Sequence, residues 1–353
     1  MRVLVACDWF LKYAVSQASA LHRAGIDVSL LCRAHALEFG GRYDEREEVL
    51  GRLNGIAVQV LRGRVSSPAA ALDVVALRRE VRRMSPDLVH AHDNADPRLL
   101  SIVAGFPRVT TIHDPVPHPG HPQISRIEQA VRDCWIAGSA SVVVHGDALV
   151  GELPAWVSRD KVAIVPHGAA VRERPLPRPA EPCVLLFGRL EAYKGIDVLL
   201  RGMEHVWSMR PEVRLVIAGA GPEASIVPSD PRIWLRDEYI QEGDLDTLFS
   251  AASVAVLPYV QASQSGAGAY ALARGVPTIV SDAGALAEIA LDPSFVVTAG
   301  DDHGLAMSIL RHLDHDDELR RAVLAFARER LSWDACARRS LELYSDVLAV
   351  DRP

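Results

Sequence analysis

Short runs of branched apolar residues alternate with longer segments whose apolar residues recur at helical spacing. Val3–Cys7, Val28–Leu31, Ile56–Leu61, Leu88–Ala91, Val109–Ile112, Val142–Val144 and Val162–Val165 read as strands. Between several of them Ala14–Arg23, Ala69–Met84, Ser125–Ala137 and Asp147–Leu153 read as helices. The apolar runs are continuous rather than alternating, which suits parallel strands covered on both faces, so the pattern predicts a doubly wound α/β sheet. It breaks at Gly168 to Pro182, where four prolines and no periodicity mark a linker. It then resumes with strands at Val184–Phe187, Val213–Ala218, Ile233–Leu235, Val254–Leu257, Thr278–Val280 and Phe295–Val297. Helices are expected near Ile196–Met209, Leu245–Ala252, Gly266–Arg274, Leu305–Leu313 and Asp317–Leu331, and a last amphipathic one over about Trp333 to Leu348. The expected division is residues 1–168, a linker 169–182, and 183–332. Two such sheets leave a cleft at the C-terminal ends of their strands, where open α/β sheets bind ligands.

Composition narrows the classes. The chain has 353 residues, 49% hydrophobic and 24% charged, enough for two cores. A net charge of −7 gives no basic field to collect a polyanion, which argues against nucleic acid as a partner. Five scattered cysteines without metal spacing read as buried thiols in a reducing compartment. No signal peptide and no apolar stretch of membrane-spanning length is evident, so a cytoplasmic protein is expected, with membrane contact at most peripheral. Arg78-Arg-Glu-Val-Arg-Arg83 would suit an anionic surface, although a solvated helix face explains it more simply.

The candidate chemistry lies at strand ends. Phe187-Gly-Arg-Leu-Glu-Ala-Tyr-Lys-Gly195 joins a strand to a helix through a turn with Gly188, Arg189 and Lys194, the last being one of three lysines in the chain. Glycine admits close backbone approach, a helix start offers unpaired N–H groups, and two cations add charge, so the turn suits phosphate. A merely basic surface turn is the alternative. Gly219-Ala-Gly221 follows the next strand and would let backbone approach a ligand, but it is weak as a dinucleotide fingerprint. Tyr239 and Ile240 follow the third and suit a nucleobase, or an ordinary edge loop. Pro258-Tyr-Val-Gln-Ala-Ser-Gln-Ser-Gly-Ala-Gly268 is hydroxyl-rich and runs into a helix, a second anion-receptive place. Two such turns side by side point to a diphosphate, as in a nucleotide-sugar. In the first half, His113 and Asp114 end one strand, and His90 and His92 end another. Pro115 to Pro122 is a proline-rich loop carrying His118 and His121, read as acceptor-shaping rather than as a zinc site.

These residues resemble the retaining GT-B glycosyltransferases of family 4 over essentially the whole chain. The likeness is strongest at Phe187–Gly195, Val216–Glu223, Val256–Pro277 and Ser281–Glu288. It implies two Rossmann-like domains, with the final helix crossing back to the first, and a nucleoside diphosphate sugar (UDP, GDP or dTDP form) as donor. It implies transfer with retention to a hydroxyl acceptor, with no metal or other cofactor, because Arg189 and Lys194 neutralise the leaving diphosphate. His113 matches the family's histidine near the donor sugar. The donor set expected from motif and position is Gly188, Gly219, Gly221, Tyr239, Ile240, Ser263, Gln264, Ser265, Gly266, Ala267 and Tyr270. The acceptor side is expected to use Asp8, Trp9, Phe10, His92, Asp114 and His118. Two departures stand out. The paired glutamates common in the family fall on Ala262 and Tyr270 here, and Asp8-Trp9-Phe10 replaces a glycine pair, either to stack on substrate or to staple the next helix. A 2-epimerase of the same architecture and a non-catalytic nucleotide-sugar binder remain as alternatives, while oligomeric state is not legible.

Overall fold

The computed structural model describes residues 1–35, 37–39, 41–63, 68–116 and 125–350. The apolar runs of the first half become β1 (Arg2–Cys7), β2 (Asp27–Arg33), β3 (Ala57–Leu61), β4 (Leu88–His92), β5 (Arg108–Thr111), β6 (Ser141–Val144) and β7 (Val162–Ile164). They form one parallel sheet in the order β3-β2-β1-β4-β5-β6-β7. The second half supplies β8 (Cys183–Phe187), β9 (Arg214–Ala218), β10 (Ile233–Arg236), β11 (Val254–Leu257), β12 (Thr278–Ser281) and β13 (Val296–Val297), parallel in the order β10-β9-β8-β11-β12-β13. Every residue of β4, β6, β11 and β12 is buried, which is why their apolar residues run together rather than alternating with exposed polar ones.

Helices cover both faces: α1 (Leu11–Arg23), α2 (Tyr43–Gly51), α3 (Pro68–Met84), α4 (Pro97–Ile102) and α5 (Arg126–Ala137) on the first sheet. On the second lie α6 (Ile196–Met209), α7 (Glu242–Ser250), α8 (Gly266–Leu272), α9 (Asp302–His312) and α10 (Asp317–Arg330). The last helix, α11 (Trp333–Val350), leaves the second unit and packs against α1, burying Cys336, Ala337, Tyr344 and Val347 in the core of the first sheet. Gly168 fits there because a β-carbon would collide with the Trp333 ring.

Several expectations shift. Asp147–Glu152 is a 3-10 segment rather than an α-helix, and α8 ends at Leu272, short of Arg274. Two helices went unforeseen. α2 reads as a charged loop because only Arg46 and Val49 are buried on it. α4 is one turn and a half, although Asp96-Pro97 is a start signal, with the Asp96 carboxylate accepting from the Arg98 N–H.

Candidate active site

Register sets the site. Cys7 pairs with His92 and His92 with Thr111, so the residues just beyond these strands line one edge of the first sheet. Phe187 pairs with Ala218, which does the same for the turns after β8 and β9 in the second.

The turn after β8 brings Lys194 inward. Gly195 starts α6 at φ +66°, and a β-carbon there would collide with the Pro258 carbonyl, so glycine alone lets this turn lie against the loop after β11. Lys194 is buried, its Nζ 3.8 Å from the centre of the Tyr259 ring and 4.9 Å from that of Tyr193. Burial pushes its pKa down to about 8; Arg189 acts the same way and Asp114, from the first sheet, opposes it. Among the described residues, no carboxylate forms an ion pair with Lys194. The two aromatic faces, and a hydrogen bond with Tyr193, hold the ammonium in place.

Other predicted donor residues divide into two groups. A β-carbon on Gly219 would strike the Gly188 carbonyl, and one on Gly221 the Leu190 carbonyl, so these glycines serve the close packing of two turns. Ser265 is the N-cap of α8: its Oγ accepts from the Gly268 N–H and lies 3.2 Å from the Tyr259 hydroxyl. Its oxygen is thus engaged by the start of α8. The Ile240 side chain is in the core, leaving only backbone for a base. Tyr270, at a lost glutamate position, packs on Phe249 and lies under the Arg274 guanidinium, 3.2 Å from its ring centre. Ser263 and Ala262 are buried, while Gly266 and Ala267, half-buried, open α8. The Gln264 Oε1 is buried without a hydrogen-bond partner among the described residues.

On the first sheet His113 is completely buried, within a row the sequence did not reveal. His145 Nδ1 lies 2.9 Å from the Val165 carbonyl oxygen and His145 Nε2 lies 2.9 Å from His113 Nδ1. His113 Nε2 is 3.3 Å from His92 Nδ1, and His92 Nε2 is 2.7 Å from Gln17 Oε1. Gln17 Nε2 is 3.3 Å from His90 Nδ1, which also meets the Tyr344 hydroxyl. Burial, reinforced by neighbouring histidines, pushes His92 and His113 well below the ordinary imidazole range and His90 to about 3. Val144-His145-Gly146 has the strand-end placement that singled out His113, and that signal would have found it.

Phe10 covers this row, its ring stacked on His113 with centres 4.0 Å apart. It is half-buried at the start of α1 and holds a left-handed φ of +57°, a conformation glycine adopts freely. Trp9 is exposed near His35. One oxygen of the Asp8 carboxylate accepts from the Ala95 and Asp96 N–H groups, which shapes the loop after β4. Asp114 receives Arg132 on its carbonyl oxygen. His118 and His121 lie outside the described residues.

Contacts span the cleft. Lys12 Nζ donates to Tyr239 Oη at 2.8 Å and to Glu45 at 2.7 Å, Tyr239 donates to Glu45 at 2.9 Å, and Arg42 lies over the Tyr239 ring. At the other side the Glu288 carboxylate accepts from the Asp147 and Ala148 N–H groups at 2.9 and 3.0 Å. On the outer surface, Arg79, Arg82 and Arg83 of α3 are exposed beside Leu72 and Val75. No helix among the described residues is long and apolar enough to cross a membrane.

Known proteins match this arrangement. The profile of the family described as "Glycosyltransferase Family 4" matches residues 12–172, and that of "Glycosyl transferases group 1" matches residues 181–315. A D-inositol 3-phosphate glycosyltransferase of Xylanimonas cellulosilytica is 26% identical over 95% of this chain and 91% of its own. Two solved structures share the fold. One is Anabaena HepE in complex with UDP and glucose, with a TM-score of 0.73 at 16% identity over 98% of this chain and 99% of that one. The other is sucrose-phosphate synthase from Thermosynechococcus elongatus, with a TM-score of 0.72 at 18% identity over 99% and 100%. With these matches across both halves and two parallel sheets facing one cleft, the chain belongs to the GT-B glycosyltransferases of the family 4 type.

Proposed function

We propose that this chain moves a sugar from a nucleoside diphosphate donor, seated on the second sheet, to a hydroxyl acceptor on the first, with retention at the anomeric carbon. The observation that carries this is Lys194, a buried ammonium held on two aromatic faces beside Arg189 and opposite Asp114. Charging such a group is costly unless a ligand supplies the anion, and a diphosphate does so. The fold neighbour that binds UDP and the named glycosyltransferase relative support the same class of donor.

In this reading the bond between the anomeric carbon and the β-phosphate oxygen breaks as Arg189 and Lys194 take up the charge developing on the diphosphate, the task a metal performs elsewhere. The acceptor oxygen bonds to the anomeric carbon from the leaving-group side, and its proton passes to a phosphate oxygen. No carboxylate nucleophile is needed. Gln264 bonds a sugar hydroxyl through its unpaired oxygen, and His113 lies under the sugar. Tyr239 marks the base end of the cleft.

The test is to incubate the protein with UDP-, GDP- and dTDP-sugars and a panel of hydroxyl acceptors that includes inositol 3-phosphate, then to read product configuration by NMR. A new glycoside with the donor's anomeric configuration supports the proposal. An inverted product overturns the retaining step, and an epimerised donor formed without acceptor overturns the transferase reading.

A further inference from the structure

The buried histidine row contains a conflict that its own hydrogen bonds resolve. A carbonyl oxygen only accepts, so the His145 Nδ1 facing Val165 carries a proton. With a neutral ring, His145 Nε2 is then a lone pair, and His113 Nδ1 must be the N–H that meets it. The same step makes His113 Nε2 an acceptor, His92 Nδ1 a donor, and His92 Nε2 an acceptor. Yet the atom 2.7 Å from His92 Nε2 is the side-chain oxygen of Gln17, another acceptor.

Two changes remove the clash. Either the Gln17 amide turns over, or His92, His113 and His145 share one extra proton. Among the described residues the groups around the row are His90, His167, Tyr13, Tyr344, Cys336 and one carboxylate, Asp114, so an extra proton there finds little compensation. At its other end the turned amide oxygen accepts from His90 Nδ1–H, a proton it shares with the Tyr344 oxygen, while the Thr111 hydroxyl, 2.7 Å away, donates to His90 Nε2. Exchange of oxygen and nitrogen in an amide is a matter of hydrogen-bond assignment.

We infer that Gln17, with its NH2 turned toward His92, is a positioning residue that keeps the row neutral and fixes His113 as the Nδ1–H tautomer with a lone pair at Nε2. The consequence for catalysis rests on the reading of His113 as lying under the donor sugar. A sugar that gains positive character as its bond to phosphate breaks meets an uncharged ring, both of whose nitrogens are held within the row. An imidazolium in the same place would repel it.

The test is long-range 1H–15N NMR of protein labelled at histidine nitrogen, on the whole chain at neutral pH. Wild type is expected to show His92, His113 and His145 as neutral Nδ1–H rings. Gln17→Glu puts an acceptor-only carboxylate against His92 Nε2, and the row then needs one more proton. Its spectrum gains an imidazolium, and kcat falls on the order of tenfold or more while donor KM stays within about twofold. Nε2–H or imidazolium at His113 in wild type overturns the inference. So does a folded Gln17→Glu variant with unchanged tautomers. The wild-type spectrum decides the matter even if that variant does not fold. If the tautomers are as expected but no nucleotide-sugar is turned over, the proposed function fails and the positioning role of Gln17 stands.

Discussion

Replacing Lys194 by methionine separates the needs of the fold from the needs of the ligand. The ammonium falls from the ordinary lysine value of 10.5 to about 8, chiefly through burial. That fall corresponds to about 3 kcal/mol of folding free energy at neutral pH, set against the charged form. Methionine keeps an unbranched apolar stem and lays a sulfur against Tyr193 and Tyr259, so the lost cation–ring attraction of about 1–2 kcal/mol is partly replaced. The ligand-free variant is expected to be more stable than wild type by about 1–2 kcal/mol at pH 7, a rise of about 2–4 °C in Tm per kcal/mol. The sign with pH follows from linkage. Between about 8 and 10.5 the unfolded chain holds the lysine proton and the folded one does not, so wild-type stability rises with pH across that window. The variant's advantage is complete below pH 8 and shrinks toward pH 10.5. Thermal or urea unfolding followed by circular dichroism at pH 7 and pH 10 reads this directly. A variant less stable at pH 7, or an advantage that does not change with pH, would falsify the reasoning.

Gly219→Ala places a β-carbon on the Gly188 carbonyl at a φ of +141°, and a loss on the order of 3 kcal/mol is expected in a melting experiment; a normal Tm would show the turns can part freely. Glu288→Gln weakens two charge-assisted bonds across the cleft by about 1–3 kcal/mol together. The ligand-free variant should show a larger radius of gyration by small-angle scattering, and an unchanged one removes Glu288 as a clasp. Phe10→Gly relieves about 1–2 kcal/mol of left-handed strain while giving up the stack on His113. Net stability by urea titration should move by no more than about 1 kcal/mol, and a much larger loss would show that the ring holds the row together.

Much of the fold is legible because buried parallel strands are written as unbroken apolar runs, and β11 and α6 fall where the pattern places them. α2 is hidden because tertiary contacts through Val49 and Arg46, rather than a stripe of apolar residues, fix it. The position of the turn at Arg189 and Lys194 is legible because an apolar strand run and a helical run bound it with glycines between them. The purpose of Gly219 and Gly221 is not, since a glycine that admits a ligand and one that admits a neighbouring turn look alike in sequence. The histidine row needs register: its members come from the ends of β4, β5 and β6, and its far end is Tyr344 on α11, brought back from the other unit. Nor does sequence show Glu38, whose carboxylate accepts from the Leu11 and Lys12 N–H groups at the start of α1.

The central claim is that a nucleoside diphosphate sits on the turn that carries Arg189 and Lys194. Isothermal titration of UDP, GDP and dTDP into wild type, Arg189→Met and Lys194→Met tests it most directly. The expected result is that one of the three binds wild type and that each substitution weakens it by about 10- to 100-fold, as loss of a charge-assisted contact of about 1.5–3 kcal/mol requires. If none of the nucleotides binds wild type, or if one binds all three proteins equally well, the account of this site is contradicted.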